Sequence, residues 1–156
     1  MANKVRDLDG VDDALVRQLV EDGRRPNVDL AGRVGVAAST ALTRVKALLD
    51  RGVIRGVHAD VDPVEVGAPV QAILALRLRA HDAANVRGFI RRVADMPEVI
   101  QVFHVSGVED FLVHVAVEST QRLRDFALDS LTSDPLVAHA QTHLVFDHQR
   151  GGFMTP

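Results

Sequence analysis

The apolar residues of this chain change period once. Up to residue 52 they recur at helical spacing, and from Val70 onward stretches of strict alternation are interleaved with helical ones. A chain with that switch is neither all-helical nor all-β, and its two parts need separate cores. At 156 residues there is room for two small domains, each with a modest interior.

The first part reads as three helices. Over residues 9–22, Val11, Ala14, Leu15 and Leu19 form one stripe, and Gly23 offers a left-handed stop. Arg24-Arg25-Pro26 connects to Asn27, a good N-cap for a short helix over 28–34 that Gly35 ends. A longer helix over about 38–51 places apolar residues at 38, 41, 42, 45, 48 and 49. Gly52 stops it, and Val53-Ile54 begins an extended segment. Short helix, glycine turn and longer helix make the helix-turn-helix pattern. The longer helix leaves Ser39, Thr40, Thr43, Arg44 and Lys46 off its apolar stripe, side chains that reach base edges and phosphates in a major groove.

Charge points the same way. The whole chain carries a net charge of −3, yet residues 23–56 hold 7 basic side chains against 2 acidic ones. A local +5 on an acidic chain marks a compact basic surface, so double-stranded DNA is the expected partner.

Residues 57–68, with Asp60, Asp62-Pro63 and Gly67, read as a strand and linker. A strand over 70–79 then puts Val70, Ala72, Leu74, Leu76 and Leu78 on one face. Asp82 is placed to cap a helix to residue 95 that carries Val86, Phe89, Ile90 and Val93. Two β-rich runs, 100–105 and 111–117, form a hairpin across Ser106-Gly107-Val108-Glu109-Asp110. Ser119 caps another helix to about Leu131, and a last strand spans 137–146. The order β-α-β-β-α-β predicts a ferredoxin-like α+β domain, with two helices over one face of an antiparallel sheet. The open face is expected to carry Ile73, Ala75, Val102, Leu112, Ala116 and either Val137 or Leu144. A second copy is the simplest cover for it, giving a homodimer.

The chain has no Cys, Trp or Tyr, so disulfides, thiolate metal sites and cysteine nucleophiles are excluded. The first nine residues lack the apolar core of a signal peptide, and the longest apolar run, 72–76, is far too short to span a bilayer. A cytoplasmic protein with no membrane partner is expected. No phosphate-binding glycine loop, HExxH or GxSxG pattern is present, so no enzyme activity and no cofactor are expected. Among the 7 His residues, His104 and His114 should face each other across the hairpin, and His139 and His143 share one face of the last strand. Imidazoles on adjacent strands bind divalent ions, but packed or hydrogen-bonded rings are the commoner arrangement, so no metal is expected. Arg87, Arg91 and Arg92 read as a solvated helix edge.

Leu8-Asp9 with Asp12, the run Asn27-Val28-Asp29-Leu30-Ala31-Gly32-Arg33-Val34-Gly35-Val36, Arg44-Val45-Lys46-Ala47-Leu48 and Gly52-Val53-Ile54-Arg55-Gly56 stand in a specific order. With Asp62-Pro63, Pro97-Glu98-Val99 and Val105-Ser106-Gly107-Val108-Glu109-Asp110, the chain resembles the leucine-responsive/asparagine-responsive (Lrp/AsnC) regulators over nearly its whole length. The resemblance implies a winged helix-turn-helix over 1–56, a linker over 57–68, an effector-binding and dimerising domain over 69–148, and a tail over 149–156. It also implies assembly of dimers to higher oligomers such as octamers, with small effectors, usually amino acids, bound at contacts between dimers. The family's Gly-x-x-Asp loop matches Gly107 and Asp110. Two departures stand out: Ala37 and Ala38 replace the usual Ser cap and Pro, and Glu109 replaces an aromatic, which favours a cationic or polar amino acid.

The expected DNA contacts are thus Arg24, Arg25, Asn27, Ser39, Thr40, Thr43, Arg44, Lys46 and Arg51. Effector contacts are expected from His104, Ser106, Gly107, Glu109, Asp110 and Thr142. The rival expectation is a ligand-sensing module that regulates a partner protein and binds no DNA.

Overall fold

A computed structural model describes residues 8–79, 83–149 and 151. The chain divides into two compact units between Asp60 and Val61.

The N-terminal unit holds α1 (Gly10–Glu21), α2 (Asn27–Val34) and α3 (Ala38–Asp50). Asp9 caps α1, its Oδ1 accepting from the Asp12 N–H at 2.8 Å. Leu15, Leu30, Ala31, Ala41 and Leu48 form the buried core, with Val11, Leu19, Val45 and Ile54 packed around it. Gly35 closes α2 at φ 74°, where a side chain would be strained, and the Val36 N–H donates back to the Ala31 carbonyl. That left-handed turn sends the chain directly into α3.

Several local expectations are corrected. Gly23 is not left-handed. It sits where an added Cβ would lie 2.8 Å from the Val57 side chain, so close approach rather than backbone sign calls for glycine. Pro26, not Asn27, occupies the N-cap of α2. The Asn27 amide instead donates to the Ala38 carbonyl at 2.7 Å, tying the start of α2 to the start of α3. No strand forms over residues 51–69, so neither the extended segment after Gly52 nor a wing is built there. The reason is hydrogen bonding. The Val53 and Ile54 N–H groups go to the Leu48 carbonyl, and among the described residues the following ones join no ladder.

Ala37 occupies the N-cap of α3 with cap-like backbone angles (φ −67°, ψ 148°) and no side-chain hydrogen bond. Ala37→Ser supplies the missing oxygen. It is expected to stabilise this unit by about 1 kcal/mol, raising its melting temperature by about 4–8 °C in calorimetry.

The C-terminal unit runs β1 (Val70–Leu78), α4 (Ala83–Ala94), β2 (Val99–His104), β3 (Phe111–Val117), α5 (Thr120–Phe126) and β4 (Val137–Val145). Ser119 caps α5, and a π-helical turn over Ala127–Thr132 continues it. Asp82, the expected cap of α4, lies outside the described residues. The antiparallel sheet has the order β2-β3-β1-β4. Its helix-covered face buries Ala72, Leu74, Leu76, Phe111, Val113 and Val115 against Phe89, Val93, Leu123 and Phe126.

The open face differs from expectation. Val102 pairs with Val113, Val137 is buried in the helix-side core, and Leu144 pairs with Ala72, so all three belong to the covered face. Ile73, Ala75, Leu112 and Ala116 remain on the open face, joined by Phe103, His114, His139 and His143. It is a mixed surface of apolar side chains and imidazoles.

Candidate DNA interface and effector site

In the N-terminal unit, α3 presents Ser39, Thr40, Thr43 and Lys46 to solvent, all four in the expected set. Arg24 is exposed as well. The other expected cations are engaged inside the unit. Arg44 donates to Asp9 and, at 2.9 Å, to Asp12 of α1, while Arg51 donates to the second Asp12 oxygen at 3.1 Å. Arg25 is largely covered and pairs with Glu21 at 3.4 Å. Asp12 is 6% exposed, so its carboxylate is a buried pin between α1 and the recognition helix.

The Asp12 N–H first, and then the Arg44 guanidinium, hold the Asp9 carboxyl below its ordinary value of 3.8. Its contribution is therefore present above that value and is lost as pH falls through the lowered one. Asp9 and Asp12 are positioning residues that charge and helix patterns did not reveal. The signal available was one acid just before the first helix and a second three residues on, near a basic third helix.

In the C-terminal unit the loop between β2 and β3 carries Ser106 and Gly107 at the surface, with Gly107 at φ 135°. Asp110 stitches that loop to the end of β1. Its Oδ2 accepts from the Leu78 N–H at 2.7 Å, its N–H donates to the Leu76 carbonyl, and its carbonyl accepts from Val105. Glu109 is half-buried, and its buried Oε2 has no hydrogen-bond partner among the described residues. His104 stacks on Phe111 with ring centroids 4.8 Å apart.

Thr142 is not near this loop. It pairs with Leu74 on β4, at the other side of β1. There it lines a groove of about 560 Å³ between α5 with its π turn and β4, together with Thr120, Leu123, Arg124, Leu128 and Leu144.

His104 and His114 do not face each other. The register pairs His104 with Phe111 and His114 with Gln101, which puts the two imidazoles on opposite faces. His114 shares a row with Ile73 and His143, so the two histidines stand two strand spacings apart, roughly 9–10 Å. Among the described residues no three His, Asp or Glu side chains gather as metal ligands. His114 instead bonds Gln71 at 3.0 Å and meets the His148 ring edge-on at 5.4 Å. Burial first, and the neighbouring His148 second, push its pKa below 6.5. The unfolded chain thus binds the extra proton, and the contribution of His114 to stability declines as pH falls below 6.5.

Comparison with known proteins draws these parts together. An AsnC-type helix-turn-helix domain matches residues 8–49, and an Lrp/AsnC ligand binding domain matches residues 71–150. The regulator AldR of Mycobacterium tuberculosis is 42% identical over 93% of this chain and 81% of its own length. The leucine-responsive regulatory protein of Rhizobium meliloti is 36% identical over 88% of each. The crystal structure of the M. tuberculosis AldR superposes with a TM-score of 0.81 at 39% identity, covering 92% of this chain and 98% of that one. A Neisseria meningitidis transcriptional regulator in complex with L-Met gives 0.82 at 31% identity, covering 96% and 97%. Helix-turn-helix, pinned recognition helix and four-stranded ligand-binding domain are thus those of a DNA-binding transcriptional regulator, and the chain belongs to the Lrp/AsnC family.

Proposed function

We propose that residues 1–56 bind duplex DNA through α3, with residues 57–68 linking them to a sensing and assembly domain over 69–148, before a tail over 149–156. Lys46, Arg24, Ser39, Thr40 and Thr43 make the contacts, while Arg44 and Arg51 hold the helix in place. The effector is an α-amino acid bound between copies of the chain in a homodimer or a higher oligomer such as an octamer, in the cytoplasm.

One observation carries the effector reading. The loop with the unsatisfied Glu109 oxygen and the groove with Thr142 lie on opposite sides of β1, so a site using both is completed by another copy. Glu109 accepts the ammonium, Arg124 and the threonine hydroxyls meet the carboxylate, and Leu123, Leu128 and Leu144 receive the side chain. With Glu109 taken by the ammonium, the cationic or polar side chain expected from it gives way to an apolar one, in keeping with the L-Met held by the Neisseria relative.

Thermal-shift titration with the common amino acids tests this on the native chain, Glu109→Gln and Arg124→Ala. Saturation at 100 times Kd stabilises the native protein by about 2.7 kcal/mol, and both variants are expected to lose that response. Equal responses overturn the site, and a monomer in light scattering overturns the shared geometry. For DNA, Lys46→Ala is expected to lower the slope of log affinity against log salt by about 1.

A further inference from the structure

One edge of the exposed face of α3 is apolar. Leu42, which its spacing assigns to the buried stripe, is 61% exposed on α3. It stands between Ser39 and Lys46 on one helical surface, beside Thr43. Thr43 donates its hydroxyl proton to the Ser39 carbonyl at 2.9 Å, leaving it acceptor lone pairs and a methyl group. Arg44, the side chain best suited to guanine, is held by Asp9 and Asp12. Hydroxyls and the lysine therefore line the middle of this surface, and hydrocarbon lies along its edge at Leu42.

The major groove offers one apolar group, the 5-methyl of thymine. We infer that Leu42 is a specificity-determining residue that packs on a thymine methyl, with the Thr43 methyl beside it. Leu42 is more exposed than Leu49 on the same edge and lies next to the row of hydroxyls and lysine, so it gains by burial against such a group. With Arg25, Arg44 and Arg51 paired inside the unit, the exposed cations of this segment, Arg24, Arg33, Lys46 and Arg55, still outnumber Asp29 and Asp50 and favour a nucleic-acid occupant over a second copy of this surface. The inference rests on the reading that α3 enters the major groove.

The test uses the full chain and a duplex that it selects from a random-sequence pool. Each thymine of that duplex is replaced in turn by deoxyuridine, which pairs identically but lacks the 5-methyl, and binding is followed by anisotropy at fixed salt. At one or two positions the replacement is expected to weaken native binding about four-fold, the worth of one buried methyl-sized group. Leu42→Ala is expected to bind the unmodified duplex more weakly by a similar factor and to be indifferent to deoxyuridine at those positions. Leu42 is exposed, so the variant should keep the native circular dichroism and melting temperature. A deoxyuridine effect of the same size in both proteins, or none in the native protein, overturns the inference while leaving DNA binding intact. A native protein that selects no duplex overturns the DNA reading as well.

Discussion

Leu48→Ala is expected to abolish DNA binding while the C-terminal unit stays folded. Leu48 is fully buried on the inner side of α3, in a core of five buried residues. Truncating a buried leucine costs about 2–5 kcal/mol, the lost transfer energy plus the cavity left behind. A unit of this size is stable by roughly 3–8 kcal/mol, so from about a quarter to all of its stability goes with one side chain. The same residue anchors the chain beyond α3, because its carbonyl accepts from the Val53 and Ile54 N–H groups.

The two units can be watched separately. Five of the six phenylalanines, at 89, 103, 111, 126 and 146, lie within the C-terminal unit, and there is no Trp or Tyr. Near-ultraviolet circular dichroism in the phenylalanine bands therefore reports the C-terminal unit, while the far-ultraviolet helix signal follows both. Leu48→Ala is expected to lose helix signal and DNA affinity with its phenylalanine bands unchanged. Native helix content together with native affinity would show that Leu48 does not hold the recognition helix.

The second large effect is expected at Phe111, fully buried at the start of β3. Its ring tilts against Phe89 at 5.4 Å and stacks on His104, and the next residue back is Asp110, which fastens the loop to β1. Phe111→Ala is expected to cost about 3–5 kcal/mol and to lower the melting temperature of this unit by on the order of 15–30 °C. The phenylalanine bands should collapse, and the amino-acid response should disappear with the loop's support. Phe111→Leu keeps most of the volume and is expected to lose about 1.5 kcal/mol, with the loop and its response retained. An unchanged melting temperature for Phe111→Ala would remove the ring from its place in the core.

What the sequence determined by itself are the features whose physics acts over a few residues. Val11, Leu15 and Leu19 on one side and the alternation from Val70 to Leu78 on another set the element types, since a side chain's face follows from its own backbone period. Ser119 marks a helix start because the cap lies within three residues of the N–H it satisfies. The tertiary structure decided what depends on partners far along the chain. Leu42 and Leu48 are equally apolar, and which of them is buried rests on where α1 and α2 cover α3. That Arg44 pairs with Asp9 and Asp12, 35 and 32 residues away, shows only once the chain is folded. The faces of His104 and His114 hang on the hairpin register, where a one-residue shift moves a side chain through the sheet. Residues 53–69 show the same dependence from the other side: extended sequence becomes a strand only where another backbone lies alongside to take its hydrogen bonds.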